Sequence, residues 1–153
     1  MTNQIIYGEI WDRGFCNAED DASSYAYEGE LCGTKRALKY ASEIREALEL
    51  PDTDVDKWQI INDAICQIED ALTSYARKMT GHQWVYFGTP ECTSMKGYWF
   101  DIDSFLEDCD LKVDDLGKVP DGFSGFVAVI SDHGNISAYE FIGGKGRLLA
   151  SVV

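Results

Sequence analysis

The sequence predicts an α+β fold in which an antiparallel helical hairpin packs on a mostly antiparallel sheet, the sheet ending in a three-stranded meander. Three observations predict it. Trp58, Ile61, Ile65, Ile68, Leu72 and Tyr75 recur in steps of three and four, the spacing of one buried helix face. Pro51 and Asp52 leave only a short connection to a second helical stretch before them. Three apolar runs near the C-terminus are separated by Asp132-His133-Gly134-Asn135 and Gly143-Gly144-Lys145-Gly146, both good turn sequences.

In chain order, residues 4–11 (QIIYGEIW) read as a first strand, rich in isoleucine and aromatics. Residues 12–33 turn to Gly, Ser, Ala and acids without a sustained period, and are expected to form a long, mobile acidic loop. Thr34 caps a helix from Lys35 to about Glu49, with Ala37, Leu38, Ala41, Ile44 and Leu48 on one face and Pro51 barring continuation. Asp54 is the expected cap of the next helix, and Gly81 sits where a left-handed residue ends it. Residues 82–87 and 97–100 read as strands around a turn containing Pro90. Asp103 or Ser104 then starts a short helix to about Cys109. Residues 126–131, 136–142 and 147–152 form the meander.

At 153 residues the chain is expected to be one domain, and 45% hydrophobic content argues against disorder. No apolar run is long enough to span a membrane, and no signal peptide is visible. Cysteines at 16, 32, 66, 92 and 109 form no CxxC pair and no zinc pattern, which suits free thiols in a reducing cytoplasm. The charge is the most informative property. There are 27 acidic against 13 basic residues, a net charge of -14, yet residues 122–153 are neutral, so the excess lies wholly in residues 1–121. Such a chain is steered toward basic surfaces and repelled by nucleic acid and anionic membranes.

Motifs that carry chemistry are weak. Asp101-Ile102-Asp103 resembles a phosphatase DxD nucleophile, but hairpins rather than βα units follow it, and the simpler reading is a strand running into a helix cap. Asp101, Asp103, Glu107, Asp108 and Asp110 crowd together, yet Leu106 and Lys112 stand where a calcium loop needs glycine and an acid. Asp110-Leu111-Lys112 matches only the tail of a nuclease constellation, in a segment of eight acids against two lysines that is too acidic to hold a polyanion. Cys92 with His82 or His133 is a candidate nucleophile–base pairing, but neither histidine sits in a recognised local signature, and His133 reads better as a hairpin-turn residue. Asp56, Asp63 and Asp70 repeat every seven residues opposite the apolar stripe, about 10.5 Å apart, as a solvated outer face requires. No catalytic set, metal or cofactor is called for.

Charge density bears on mimicry of nucleic acid. A folded chain of this mass exposes about 7,700 Å², or one net negative charge per roughly 550 Å², whereas DNA carries one per roughly 100 Å². Mimicry therefore requires the acids of residues 1–121 to gather on one side. Tyr98-Trp99-Phe100-Asp101-Ile102-Asp103-Ser104-Phe105, continuing through Asp108-Cys109-Asp110-Leu111, resembles an aromatic–acidic stretch of the ArdA-type antirestriction proteins of plasmids and phages. The resemblance covers some fourteen residues, while the segment 15–32 departs from the family pattern. It implies a class: anti-defence inhibitors, anti-CRISPR proteins included, that occupy the nucleic-acid-binding groove of a bacterial defence enzyme.

The expected function is accordingly a non-enzymatic, acidic cytoplasmic inhibitor whose partner is a protein with a basic nucleic-acid-binding surface. The binding residues are expected to be Asp101, Asp103, Glu107, Asp108, Asp110, Asp114 and Asp115, stiffened by Trp99, Phe100 and Phe105. Glu19, Asp20 and Asp21 are the secondary group, placed in the mobile loop. An apolar last strand, Leu148-Leu149-Ala150-Ser151-Val152-Val153, is expected to pair two copies into a homodimer. The alternatives are a phage or mobile-element adaptor module that binds through aromatics such as Trp84, Tyr86 and Trp99, and a small hydrolase using Cys92 or an acidic pair.

Overall fold

Helices fill most of the N-terminal half. The structure is a computed structural model, and it describes residues 7–12, 17–90 and 95–152. Contacts divide the chain into two compact units, Met1–Trp99 and Phe100–Val153, each with its own sheet.

In the first unit, helix α1 spans Ala18–Cys32, where the sequence led us to expect a loop over residues 12–33. Its signals are local. The Asn17 side chain accepts from the Asp20 amide at 2.8 Å, Glu19, Asp20 and Asp21 put negative charge on the first turn, and Gly33 closes the helix at φ 72°. The periodicity is faint because α1 buries mainly small residues, Ala22, Ala26 and Gly29, around Tyr25. Close approach does the rest: a Cβ on Gly29 would lie 3.1 Å from the Ala37 carbonyl oxygen and 3.4 Å from the Ala41 Cβ.

Helix α2 (Lys35–Leu48) starts where expected, with Thr34 Oγ1 accepting from the Ala37 amide at 3.3 Å. Of its expected apolar face, Ala37, Ala41 and Ile44 are buried, and Leu38 is exposed. Helix α3 (Lys57–Thr80) buries Ile61, Ala64, Ile68, Ala71, Leu72 and Ala76 and ends at Gly81 with φ 78°. Its N-cap position is Asp56 rather than Asp54; the Asp54 carboxylate instead accepts from the Asp56 amide at 2.9 Å and shapes the turn. Lys57 Nζ closes the connection by donating to the Leu50 carbonyl at 2.9 Å and to Asp52 at 3.1 Å. Arg36 at the start of α2 meets Gln67 and Asp70 far along α3, so the two helices run antiparallel.

Strand β1 (Gly8–Asp12) pairs antiparallel with β3 (Met95–Phe100), and β2 (Val85–Gly88) lies on the other side of β3. The strand expected over residues 82–87 is thus shorter and later, and the expected first strand is described only from Gly8 onward. Thr73 Oγ1 accepts from the Phe87 amide at 2.9 Å and Arg77 Nε donates to the Val85 carbonyl at 3.2 Å, tying β2 to α3. The core that results holds Tyr25, Ala41, Ile44, Ile61, Ile68, Leu72 and Phe87.

The second unit opens with α4 (Ile102–Asp108) and a short strand β4 (Leu111–Val113), followed by a 3-10 turn at Leu116–Lys118. Strands β5 (Gly125–Ile130), β6 (Ile136–Ile142) and β7 (Lys145–Val152) form the expected antiparallel meander. β4 adds to it in parallel with β5, giving a four-stranded mixed sheet of order β4-β5-β6-β7. Fully buried Phe105 fixes α4 on this sheet, with its ring 5.6 Å from Phe100 and 6.3 Å from Phe126. The class is α+β, as the sequence predicts, with α1 added to the helical hairpin and β4 to the meander.

Candidate acidic binding surface

The aspartates of the second unit shape the backbone that carries them. Asp101 is the N-cap of α4: its Oδ1 accepts from the Ser104 amide at 3.1 Å and its Oδ2 from the Ser104 hydroxyl at 2.8 Å. The DxD resemblance therefore reduces to a strand running into a helix cap. Asp110 pins the start of β4 to β5, its Oδ2 accepting from the Phe126 amide at 2.8 Å while its own amide donates to the Phe126 carbonyl at 2.8 Å. Gly125 makes room for that carboxylate, since a Cβ there would lie 2.7 Å from Asp110 Oδ2 and its φ of 146° also disfavours a side chain. Asp115 caps the 3-10 turn by accepting from the Gly117 amide at 2.8 Å.

Asp114 is ion-paired with Lys118 at 2.6 Å, and the hydrogen bond and charge of that lysine hold its carboxyl below the usual range and raise Lys118 in turn. The pair leaves no net charge for a partner. Asp103, Glu107 and Asp108 are exposed on α4. Asp103 and Glu107 stand one turn apart, about 6 Å along the axis. The expected seven-residue group thus falls together in one unit but divides by role: two caps, one strand tie, one ion-paired acid and three carboxylates on α4.

Glu19, Asp20 and Asp21 lie in the other unit, in the first turn of α1 rather than in a mobile loop. There they answer the partial positive charge of the helix start. Asp21 is buried, at 8% exposure, unlike exposed Glu19 and Asp20. Asp56, Asp63 and Asp70 are exposed along α3, but Arg36 Nη2 lies 3.7 Å from Asp70, so the row is part-neutralised at one end.

Other candidates have structural duties. Buried His82 accepts at Nδ1 from the Trp84 amide at 3.3 Å and its Nε2 lies 3.2 Å from the Tyr7 hydroxyl, which holds the turn into β2. His133 sits exposed in the β5–β6 turn, as expected of a hairpin-turn residue, and the positive φ of that turn falls on Gly134, at 83°. Cys92 lies outside the described residues. Among the described residues no three His, Cys, Asp or Glu side chains group to hold a metal, and no helix is long and apolar enough to cross a membrane.

Sequence reasoning missed a polar cluster inside the first unit. Tyr25 donates to Glu69 Oε1 at 2.5 Å, and Lys96 Nζ reaches the same oxygen at 3.1 Å. Nearby, burial raises the carboxyl of Glu28, and burial first, then the charge of Glu28, raises the phenol of Tyr98. The signal for this cluster was Lys96 itself, a charged residue inside a strand sequence otherwise apolar and aromatic. Comparison with protein-family models, curated proteins and solved structures finds no match to the chain.

Proposed function

We propose that the protein is a non-enzymatic inhibitor that binds the basic, nucleic-acid-binding surface of a bacterial defence enzyme, of antirestriction or anti-CRISPR type, in the cytoplasm of the host cell. One observation carries the proposal: residues 101–121 hold eight acids against two lysines on a backbone pinned by the carboxylates of Asp101, Asp110 and Asp115. Charges held on a pinned backbone lose little conformational freedom on binding, and affinity gained that way rises without added contact area. Asp103, Glu107 and Asp108 act as the direct ligands of lysine and arginine side chains, while the capping acids add to the field that steers encounter.

The test is retention on an immobilised basic partner complex from a lysate, eluted with a salt gradient, followed by competition with duplex DNA or a guide-RNA-bearing complex. Affinity is expected to fall steeply with salt, and bound nucleic acid to exclude the protein. A tight partner whose affinity ignores salt, or that binds protein and nucleic acid together, sinks the proposal.

We extend the proposal to a homodimer. β7 is a sheet edge with Leu148 53% exposed, in the stretch of sequence that carries no net charge. An uncovered edge strand pairs readily with a copy of itself. Light scattering at high protein concentration and high salt is expected to give twice the chain mass, and a strictly monomeric species overturns it.

A further inference from the structure

The first unit carries a second candidate surface, lined wholly by residues of that unit. Helices α2 and α3 leave between them an open groove of about 660 Å³. Ala47 and Ala64, both buried, form a shallow floor, and Leu50 and Ile60 flank it. Ile60 is 41% exposed, an apolar side chain left at the lip of a cavity. α1 does not fill this space; it meets α3 on the opposite flank, where Trp58, Ile65 and Glu69 line the boundary.

The rim is acidic. Glu43, Glu46 and Asp63 line the groove, no lysine or arginine does, and among the described residues none of these three acids has a cationic partner. The walls are two helices whose backbone groups are already paired within each helix. An extended peptide would bury its own amides there without partners, whereas a helix brings its hydrogen bonds with it. From Tyr40 to Ala47 the groove follows α2 for about 10 Å, close to two helical turns, and Leu50 lines it just past the end of the helix.

We propose that this groove docks a basic amphipathic helix of another protein, about two turns of it seated between the walls, with aliphatic side chains on the Ala47–Ala64 floor and lysine or arginine flanking them toward Glu43, Glu46 and Asp63. Charge complementarity selects that occupant: the rim presents Glu43, Glu46 and Asp63 and no base, so the helix that seats on it must bring the positive charge.

The probe is a fluorescein-labelled fourteen-residue synthetic helix with leucine at i, i+4, i+7 and i+11 and lysine or arginine beside them. It is titrated into the full chain by fluorescence anisotropy and by amide chemical shifts. The expected result is saturable binding with shifts concentrated at residues 40–50 and 60–67. A scrambled peptide of the same composition and a peptide with glutamate for each base should bind at least about tenfold more weakly. Replacing Glu43→Gln, Glu46→Gln and Asp63→Asn together should weaken the probe by about tenfold, and Ile60→Lys should abolish it. Asp103→Asn with Glu107→Gln and Asp108→Asn should leave probe affinity unchanged, so the groove and the acidic α4 surface fail or succeed separately. Equal binding of the scrambled peptide, or shifts centred elsewhere, overturns the proposal. So does self-association that Ile60→Lys abolishes, since a second copy is then the occupant.

Discussion

Lys96 Nζ lies 3.1 Å from Glu69 Oε1, and the pair is the polar pivot of the first unit. β3 supplies the ammonium, α3 the carboxylate, and α1 adds the Tyr25 hydroxyl to the same oxygen while the Tyr25 ring stands 5.3 Å from the ammonium. The lysine side chain is only 4% exposed and the glutamate 30%. Three elements distant in sequence are thereby joined at one atom.

Removing one partner strands the other. Lys96→Ala leaves the Glu69 carboxylate without its counter-charge, a loss of about 3–5 kcal/mol when both groups are buried. The partial exposure of Glu69 should bring this to about 2–3 kcal/mol. Urea unfolding of Lys96→Ala is expected to show that loss. The double variant Lys96→Met with Glu69→Gln should recover most of it, because a neutral amide needs no counter-charge and still accepts from the Tyr25 hydroxyl. A double variant as unstable as the single would locate the cost in packing instead.

Gly29 sets the distance between α1 and α2. A Cβ there meets the Ala37 carbonyl oxygen at 3.1 Å, which is backbone and cannot rotate away, and the Ile68 Cδ1 at 3.4 Å. Gly29→Val pushes larger atoms into the same contact, so it is expected to destabilise the first unit by about 1–3 kcal/mol, read by urea unfolding. Gly29→Ala combines a better helix former with a milder version of the same clash, and should fall between valine and wild type. A neutral valine would mean that α1 packs more loosely than its contacts imply.

That crossing also explains what was legible in the sequence. α3 announces itself because Ile61, Ile68 and Leu72 are large and fall on one face, whereas α1 buries Ala22, Ala26 and Gly29, which barely register as an apolar stripe. Its ends were written all the same, in Asn17 and Gly33. β4 escaped for a different reason. Leu111–Val113 is too short to show alternation, and its place is set by Asp110 bonding Phe126, a contact across 16 residues that local sequence does not encode. The acidic segment was visible as charge, but which acids cap backbone and which face outward depends on turn geometry.

Glu28 should make stability fall with rising pH. Burial raises its carboxyl above the ordinary glutamate value, so the folded chain holds this proton more tightly than the unfolded one. Its contribution is therefore most favourable at acid pH and is lost as pH climbs from the ordinary glutamate range through the raised folded value. Glu28→Gln removes the cost of a buried charge. It is expected to raise the urea midpoint at pH 7 and to leave it unchanged at pH 4, where wild-type Glu28 is already largely protonated. An equal gain at both pH values would trace the effect to hydrogen bonding rather than ionisation.

The capping acids and the α4 acids should separate fold from binding. Asp101→Ala removes the acceptor for the Ser104 amide and hydroxyl, and should cost about 1 kcal/mol. Asp101→Asn keeps a capping oxygen while deleting the charge, and should cost much less. Asp110→Ala also frees the Phe126 amide that ties β4 to β5, so it should loosen that edge of the sheet and increase amide exchange at Leu111–Val113. Asp103→Asn with Glu107→Gln and Asp108→Asn should leave the unfolding midpoint within about 0.5 kcal/mol of wild type. The same triple variant should weaken partner binding about tenfold or more and flatten its salt dependence. Asp114→Asn combined with Lys118→Gln should alter binding little, because the pair, at 2.6 Å, carries no net charge to lose. Should that double variant weaken binding as much as the α4 triple variant, the Asp114–Lys118 turn rather than the α4 carboxylates would govern recognition.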